Sequence, residues 1–145
     1  MIHVSESSFD PEGALKDFRL RQAGAGAITS FVGVVRDDGK IDALSLSHYP
    51  EFTERQIEQF AGDAKRRWDI SELLIIHRVG HMLVGEPIVL VAVASAHRRA
   101  AFEACDFLMD KLKSEAPFWK QEIKNGMSKW IEPRAEDKDD LKRWG

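Results

Sequence analysis

A single cysteine, Cys105, stands in a chain of 145 residues, which excludes an internal disulfide and leaves no cysteine cluster for a metal. No apolar run approaches the roughly 20 residues that a membrane-spanning helix needs. The opening MIHVSESSFD has neither the basic start nor the apolar segment of a secretory signal, so the chain reads as a cytoplasmic protein that avoids the membrane. There is no excess of basic residues: a net charge of -3 and a pI near 6.0 argue against broad nucleic-acid binding. A glycine-rich phosphate loop, a nucleophile elbow and an internal repeat are also missing. His77 and His81 stand four apart, but Gly80 between them breaks any helix that could aim both at one metal ion.

What remains is an ordinary globular composition, 43% apolar and 31% charged, long enough for one domain with a real core. The stretch Ile88 to Glu122 organises it. Ile88 to Ala94 is a short, largely β-branched apolar run, which predicts a strand buried on both faces. From Arg98 the period changes to that of a helix. Ala101, Phe102, Cys105, Leu108, Met109 and Leu112 form its apolar stripe, with Glu103, Asp106, Asp110 and Lys113 off it, and Pro117 stops it. The strand enters the helix through His97-Arg98-Arg99. Basic residues are disfavoured at a helix start unless an anion is held there. Lys113 and Lys120 bracket the exit beside Phe118 and Trp119, so cations stand at both ends and a small anionic ligand is implied.

Around this unit, Asp10-Pro11 opens a packing helix carrying Ala14, Leu15 and Phe18. Ala27 to Val35 and Ile41 to Tyr49, joined through Asp37-Asp38-Gly39, read as a β-hairpin with Arg36 at its tip. Thr53 and Gln56 suit a capping box for a helix whose buried face is Ile57, Phe60, Ala61, Ala64 and Trp68. Leu73 to Val79 is a further strand, Gly80 to Gly85 a turn, and Asn125-Gly126 the centre of a terminal hairpin. The pattern predicts an α+β domain over residues 1–133, followed by a charged tail, 134–145, either a frayed helix or disordered.

Chemistry of the residues alone leaves two readings open at each position. His97, Arg98 and Arg99 are either phosphate donors or a solvated basic turn. Lys113 and Lys120 are either surface charges or amines desolvated by an aromatic wall. Arg36 suits a solvated turn and Phe31 the core. Cys105, on the apolar stripe, reads as an inert core thiol.

The segments SFVGVVRD, LSHYPEFTE, IIHRVG, SAHRRAAFEA and LKSEAPFWKQE, in that order, resemble the catalytic (large) subunit of molybdopterin synthase over roughly Ala27 to Trp130. The resemblance implies an α/β hammerhead-type fold and a homodimer. It also implies a heterotetramer with two small ubiquitin-like sulfur-carrier subunits ending in Gly-Gly. The carrier's thiocarboxylate delivers sulfur to cyclic pyranopterin monophosphate, so no cofactor or metal is expected. By position, Lys113 and Lys120 are the implied catalytic residues. Arg36, Val34, Val35, His97, Arg98, Gln121 and Glu122 complete the implied substrate contacts, with Phe31 and Trp119 as a pocket wall. Gln121 departs from the second basic residue common in relatives, and the Asp37-Asp38-Gly39 turn is short. A non-catalytic dimeric module that binds a phosphorylated metabolite or a partner's C-terminal tail is the competing function. His97 and Lys113 lie sixteen positions apart, about 24 Å along one helix. One substrate can therefore meet both only in a pocket shared across a two-fold interface.

Overall fold

The computed structural model describes all 145 residues. In chain order the elements are β1 (Ile2–Ser5), α1 (Pro11–Leu20), β2 (Ala27–Val34), β3 (Ala43–His48), α2 (Phe52–Arg67) and β4 (Glu72–Arg78). They continue with β5 (Gly80–Leu83), β6 (Pro87–Ser95), α3 (Arg98–Ser114), β7 (Phe118–Lys124), β8 (Met127–Ile131) and α4 (Ala135–Leu141), and end in a 3-10 turn over Lys142–Trp144. The strands form two four-stranded sheets ordered β1-β4-β6-β2 and β5-β3-β7-β8. Only β1 and β4 run parallel.

The apolar run of β6 is continuous because both its faces are covered, as expected of a strand inside a layered sheet. Leu90, Ala92 and Ala94 meet Phe18 of α1 on one side. Val89, Val91 and Val93 meet α2 and α3 on the other, through Ile57, Phe60, Ala64, Ala104, Cys105, Leu108 and Leu112. The second sheet has its own small core of Val35, Leu44, Leu46 and Met82. Gly80, at φ 83°, takes the left-handed backbone that swings the chain from β4 in the first sheet into β5 in the second.

Four sequence expectations change. The hairpin with Arg36 at its tip does not form, since β2 pairs with β6 and β3 pairs with β5 and β7. The turn chemistry at Asp37-Asp38-Gly39 is real, with the Lys40 amide donating to the Asp38 carboxylate at 3.0 Å. A reversal does not dictate which neighbour a strand finds, however. Val35 is held by Glu86 on the first sheet and Asp42 by Ile123 on the second. Gly80 to Gly85 is a strand followed by a turn, because β5 caps the edge of β3. The capping box is absent: α2 starts at Phe52 after Glu51, and Thr53 lies buried inside the first turn with its hydroxyl turned to the Pro117 carbonyl. The charged tail is ordered as a helix laid along α3. Trp144 packs edge-on against Trp68 and Phe107, and Arg143 bonds Asp106 and Asp110.

Candidate functional site

Helix α3 is unbroken over 17 residues, so its two cationic ends are held apart. His97 is the N-cap in extended conformation and makes no side-chain cap. The first turn holds no acidic residue, and His97, Arg98 and Arg99 are all exposed. The helix then runs back over β6, with the Cys105 thiol directed at the Val91 carbonyl midway along both. Its C-terminal turn therefore lies over the end of the sheet where β6 begins.

Lys113 and Lys120 come within electrostatic reach at that end, and Arg36 lies toward the same end of the first sheet. Lys113 is in the last turn of α3, where the helix dipole favours a cation. Its ammonium touches solvent, yet crowding by the surrounding protein lowers its pKa, and the charge of Lys120 lowers it further. Arg36 stands just beyond β2, where Val35 and Glu86 join the starts of β6 and the second sheet. His97 and Arg98 stay at the opposite end.

Strand β7 divides the remaining residues between two faces, because side chains alternate along a strand. Phe118, Lys120 and Glu122 share the register positions of His48, Leu46 and Leu44, on the side turned to the protein interior and to Lys113. Trp119 and Gln121 oppose Ser47 and Ser45 on the other side. Within one chain, then, Trp119 is no wall for Lys120. It stacks edge-on with Tyr49 at 4.8 Å on an outer face that also carries Trp130. Val35 is buried with its amide and carbonyl already paired to Glu86 and Gly85, which leaves it no free group for a ligand. Val34 is 53% exposed and Phe31 41%, both on the edge strand β2, and Phe102 on the adjoining α3 is 61% exposed. Phe102 thus departs from the buried stripe assigned to it. Asp110 departs in the other sense, buried beneath the C-terminal helix where it accepts from Arg143 and Trp144.

Side chains that the sequence did not single out stand around Lys113. Asp137 of α4 raises the Lys113 pKa and Arg134 lowers it, while Ser114 Oγ donates to the Asp137 carbonyl at 2.8 Å. His77 is buried and its ring lies parallel to that of Phe118, 4.1 Å away at 14°. Burial pushes its pKa down to about 4, with smaller contributions from Lys113 and His48, so the imidazole is neutral. No sequence pattern marked Arg134 or Asp137, because tail and helix meet only through the fold. His77 sat in view but was weighed only as a metal ligand, and no cluster of metal-binding side chains exists. Burial raises the Cys105 thiol to about 12, which keeps it protonated and unreactive.

A solvent-reaching lysine crowded by its surroundings and by the charge of a second lysine, at the junction of two sheets, is an arrangement suited to an anion within an α+β fold. The chain belongs to the MoaE protein family, whose model matches residues 4–115. It is 49% identical to the molybdopterin synthase catalytic subunit of Cereibacter sphaeroides, over 99% of each chain. It is 44% identical to that of Pseudomonas aeruginosa, over 99% of this chain and 97% of the relative. Among solved structures, the molybdopterin biosynthesis MoaE protein from Burkholderia ambifaria superposes with a TM-score of 0.84 at 41% identity, covering 99% of this chain and 97% of that one.

Proposed function

We propose that the chain is a sulfur transferase, the catalytic subunit that converts cyclic pyranopterin monophosphate into dithiolene-bearing molybdopterin. Sulfur comes from the C-terminal thiocarboxylate of a small sulfur-carrier subunit: the sulfur bonds to the substrate, water then cleaves the acyl–sulfur bond, and the carrier leaves as a carboxylate, once for each of two transfers. The observation that carries the reading is the pairing of Lys113 with Lys120, within a fold whose near full-length relatives are named as catalytic subunits of this synthase. A thiocarboxylate and a cyclic phosphate are both anions, and two ammonium groups with Arg36 neutralise them where charge concentrates. Crowding by the surrounding protein and the charge of Lys120 lower the Lys113 pKa, so an anion bound between the two amines relieves their repulsion. The chain's own sulfur, Cys105, is buried and protonated, which is consistent with sulfur arriving on the partner without a resident cofactor. No helix is long and apolar enough to cross a membrane, and we place the reaction in the cytoplasm.

His97 and Arg98 enter the same pocket from a second copy. The α3 helix holds them about 24 Å from Lys113 in one chain. The exposed apolar row of Phe31, Val34 and Phe102 lies on the β2–α3 side of the molecule, between those two ends. A two-fold axis through that row sets the His97 end of each copy against the Lys113 end of the other, giving two equivalent pockets. With a carrier on each, the assembly is a heterotetramer.

The test supplies thiocarboxylated carrier and cyclic pyranopterin monophosphate to the purified chain and follows the fluorescent oxidised derivative of the dithiolene. Product accumulating with carrier consumption supports the transferase. Binding of both without product would establish the dimeric binding module instead.

A further inference from the structure

Lys113 and Lys120 belong to different layers of the protein. The first ends a helix resting on the sheet β1-β4-β6-β2, and the second projects from the sheet β5-β3-β7-β8. The segment between them bonds mostly to itself. The amides of Glu115 and Ala116 donate to the Lys111 carbonyl at 2.8 and 3.1 Å, and that of Phe118 donates to Ala116 at 2.9 Å. Pro117 offers no amide at all. The β3 ladder fixes Phe118 opposite His48, but that only ties it to its own sheet. Ala116 and Phe118 pack on the core of α2, α3 and the first sheet, and two buried polar side chains add directed contacts between the layers. Thr53 of α2, fully buried, donates a long 3.5 Å hydrogen bond to the Pro117 carbonyl. His77 of β4, 7% exposed, lays its ring flat on Phe118 at 4.1 Å.

We propose that His77 is a positioning residue for the lysine pair: its stack on Phe118 locks the Pro117 turn and so sets Lys120 against Lys113. This rests on the reading of Lys113 and Lys120 as the reacting site. The ring cannot swivel freely, because Nδ1 donates to the Arg78 carbonyl at 2.8 Å, which fixes its plane. Lys113 faces it from α3, His48 from β3 and Phe118 from β7. A ring kept uncharged by burial adds no third cation beside two lysines that already repel. The aromatic face is the working part, so a phenyl ring serves nearly as well as an imidazole.

The test compares His77→Ala, His77→Phe and Thr53→Val, each checked for a cooperative melt. The first readout is the pH dependence of Lys113 acylation by an amine-reactive ester, located by peptide mass spectrometry, which needs no sulfur transfer. His77→Ala lets Lys120 drift from Lys113, so the labelling midpoint moves up toward that of an ordinary lysine, and kcat falls about tenfold or more while KM for the carrier changes little. His77→Phe restores both the midpoint and kcat. Thr53→Val moves the midpoint in the same direction by less, and this arm decides the matter if His77→Ala does not fold. A folded His77→Ala with the wild-type labelling midpoint overturns the proposal, as does a His77→Phe as impaired as His77→Ala. If His77→Ala does not fold, an unmoved midpoint in Thr53→Val does the same. A wild-type chain without transfer activity contradicts the reaction and leaves the labelling comparison standing as the test of the clamp.

Discussion

At the residue scale, the site was legible where chemistry is local and hidden where it depends on the fold. Lys113 and Lys120 stood out because they flank a helix-stopping proline with aromatic neighbours, and the structure brings them together. The division of Lys120 from Trp119 and Gln121 was not readable, since it follows from β7 reaching back to Phe118 to pair with β3. Lys113 carries a prediction that separates function from stability. Its side chain reaches solvent and fills no cavity, so Lys113→Ala should shift stability by no more than about 0.5 kcal/mol. Sulfur transfer should nevertheless be abolished, as measured by dithiolene formation alongside a melting curve. Cys105 should behave in the opposite way. Cys105→Ala loses packing on the order of 1 kcal/mol against Val91 and its neighbours. Transfer from a preloaded carrier should continue, and a folded variant without activity would make that thiol a sulfur relay.

At the scale of elements, periodicity identified β6, α3, the buried face of α2 and the hairpin at Asn125-Gly126, where both residues adopt positive φ. These features are fixed by near neighbours: two covered strand faces, one apolar helical face, one turn type. The supposed hairpin of β2 and β3 failed because pairing partners are chosen by distant apolar surfaces, with β2 drawn to β6. The tail, left open between a frayed helix and disorder, was undecided for a related reason. Its charge density suggests solvation, yet Arg134 and Lys142 pair within the tail, Arg143 pairs with Asp106 and Asp110 of α3, and Trp144 supplies the apolar docking contact. That residue sits between Trp68 and Phe107 and donates its indole N–H to Asp110 at 2.5 Å. Trp144→Ala should cost about 2 kcal/mol, the worth of a largely buried aromatic with edge-on partners. The released helix should become a target for limited proteolysis after Lys138 and Lys142, at protease levels that leave the wild-type tail intact. Equal protection in the variant would mean that the Arg143 pairs with Asp106 and Asp110 hold the helix unaided.

At the scale of the whole molecule, a straight α3 is the decisive feature, because it denies one chain the means to present His97 and Lys113 to one small substrate. The length of that helix was readable from its stripe, and with it the argument for a second copy if one substrate meets both ends. The exposed row proposed to meet that copy was not, since Phe102 looked like one more core residue until the structure left it exposed beside β2. Subunit exchange between Lys113→Ala and His97→Ala tests this most directly. Each variant alone should be inactive. After mixing, with exchange verified by native mass spectrometry, the mixed dimer should contain one doubly defective pocket and one intact pocket, and transfer activity should return in proportion to the mixed species. Verified exchange with no recovery of activity would contradict a pocket built from two chains.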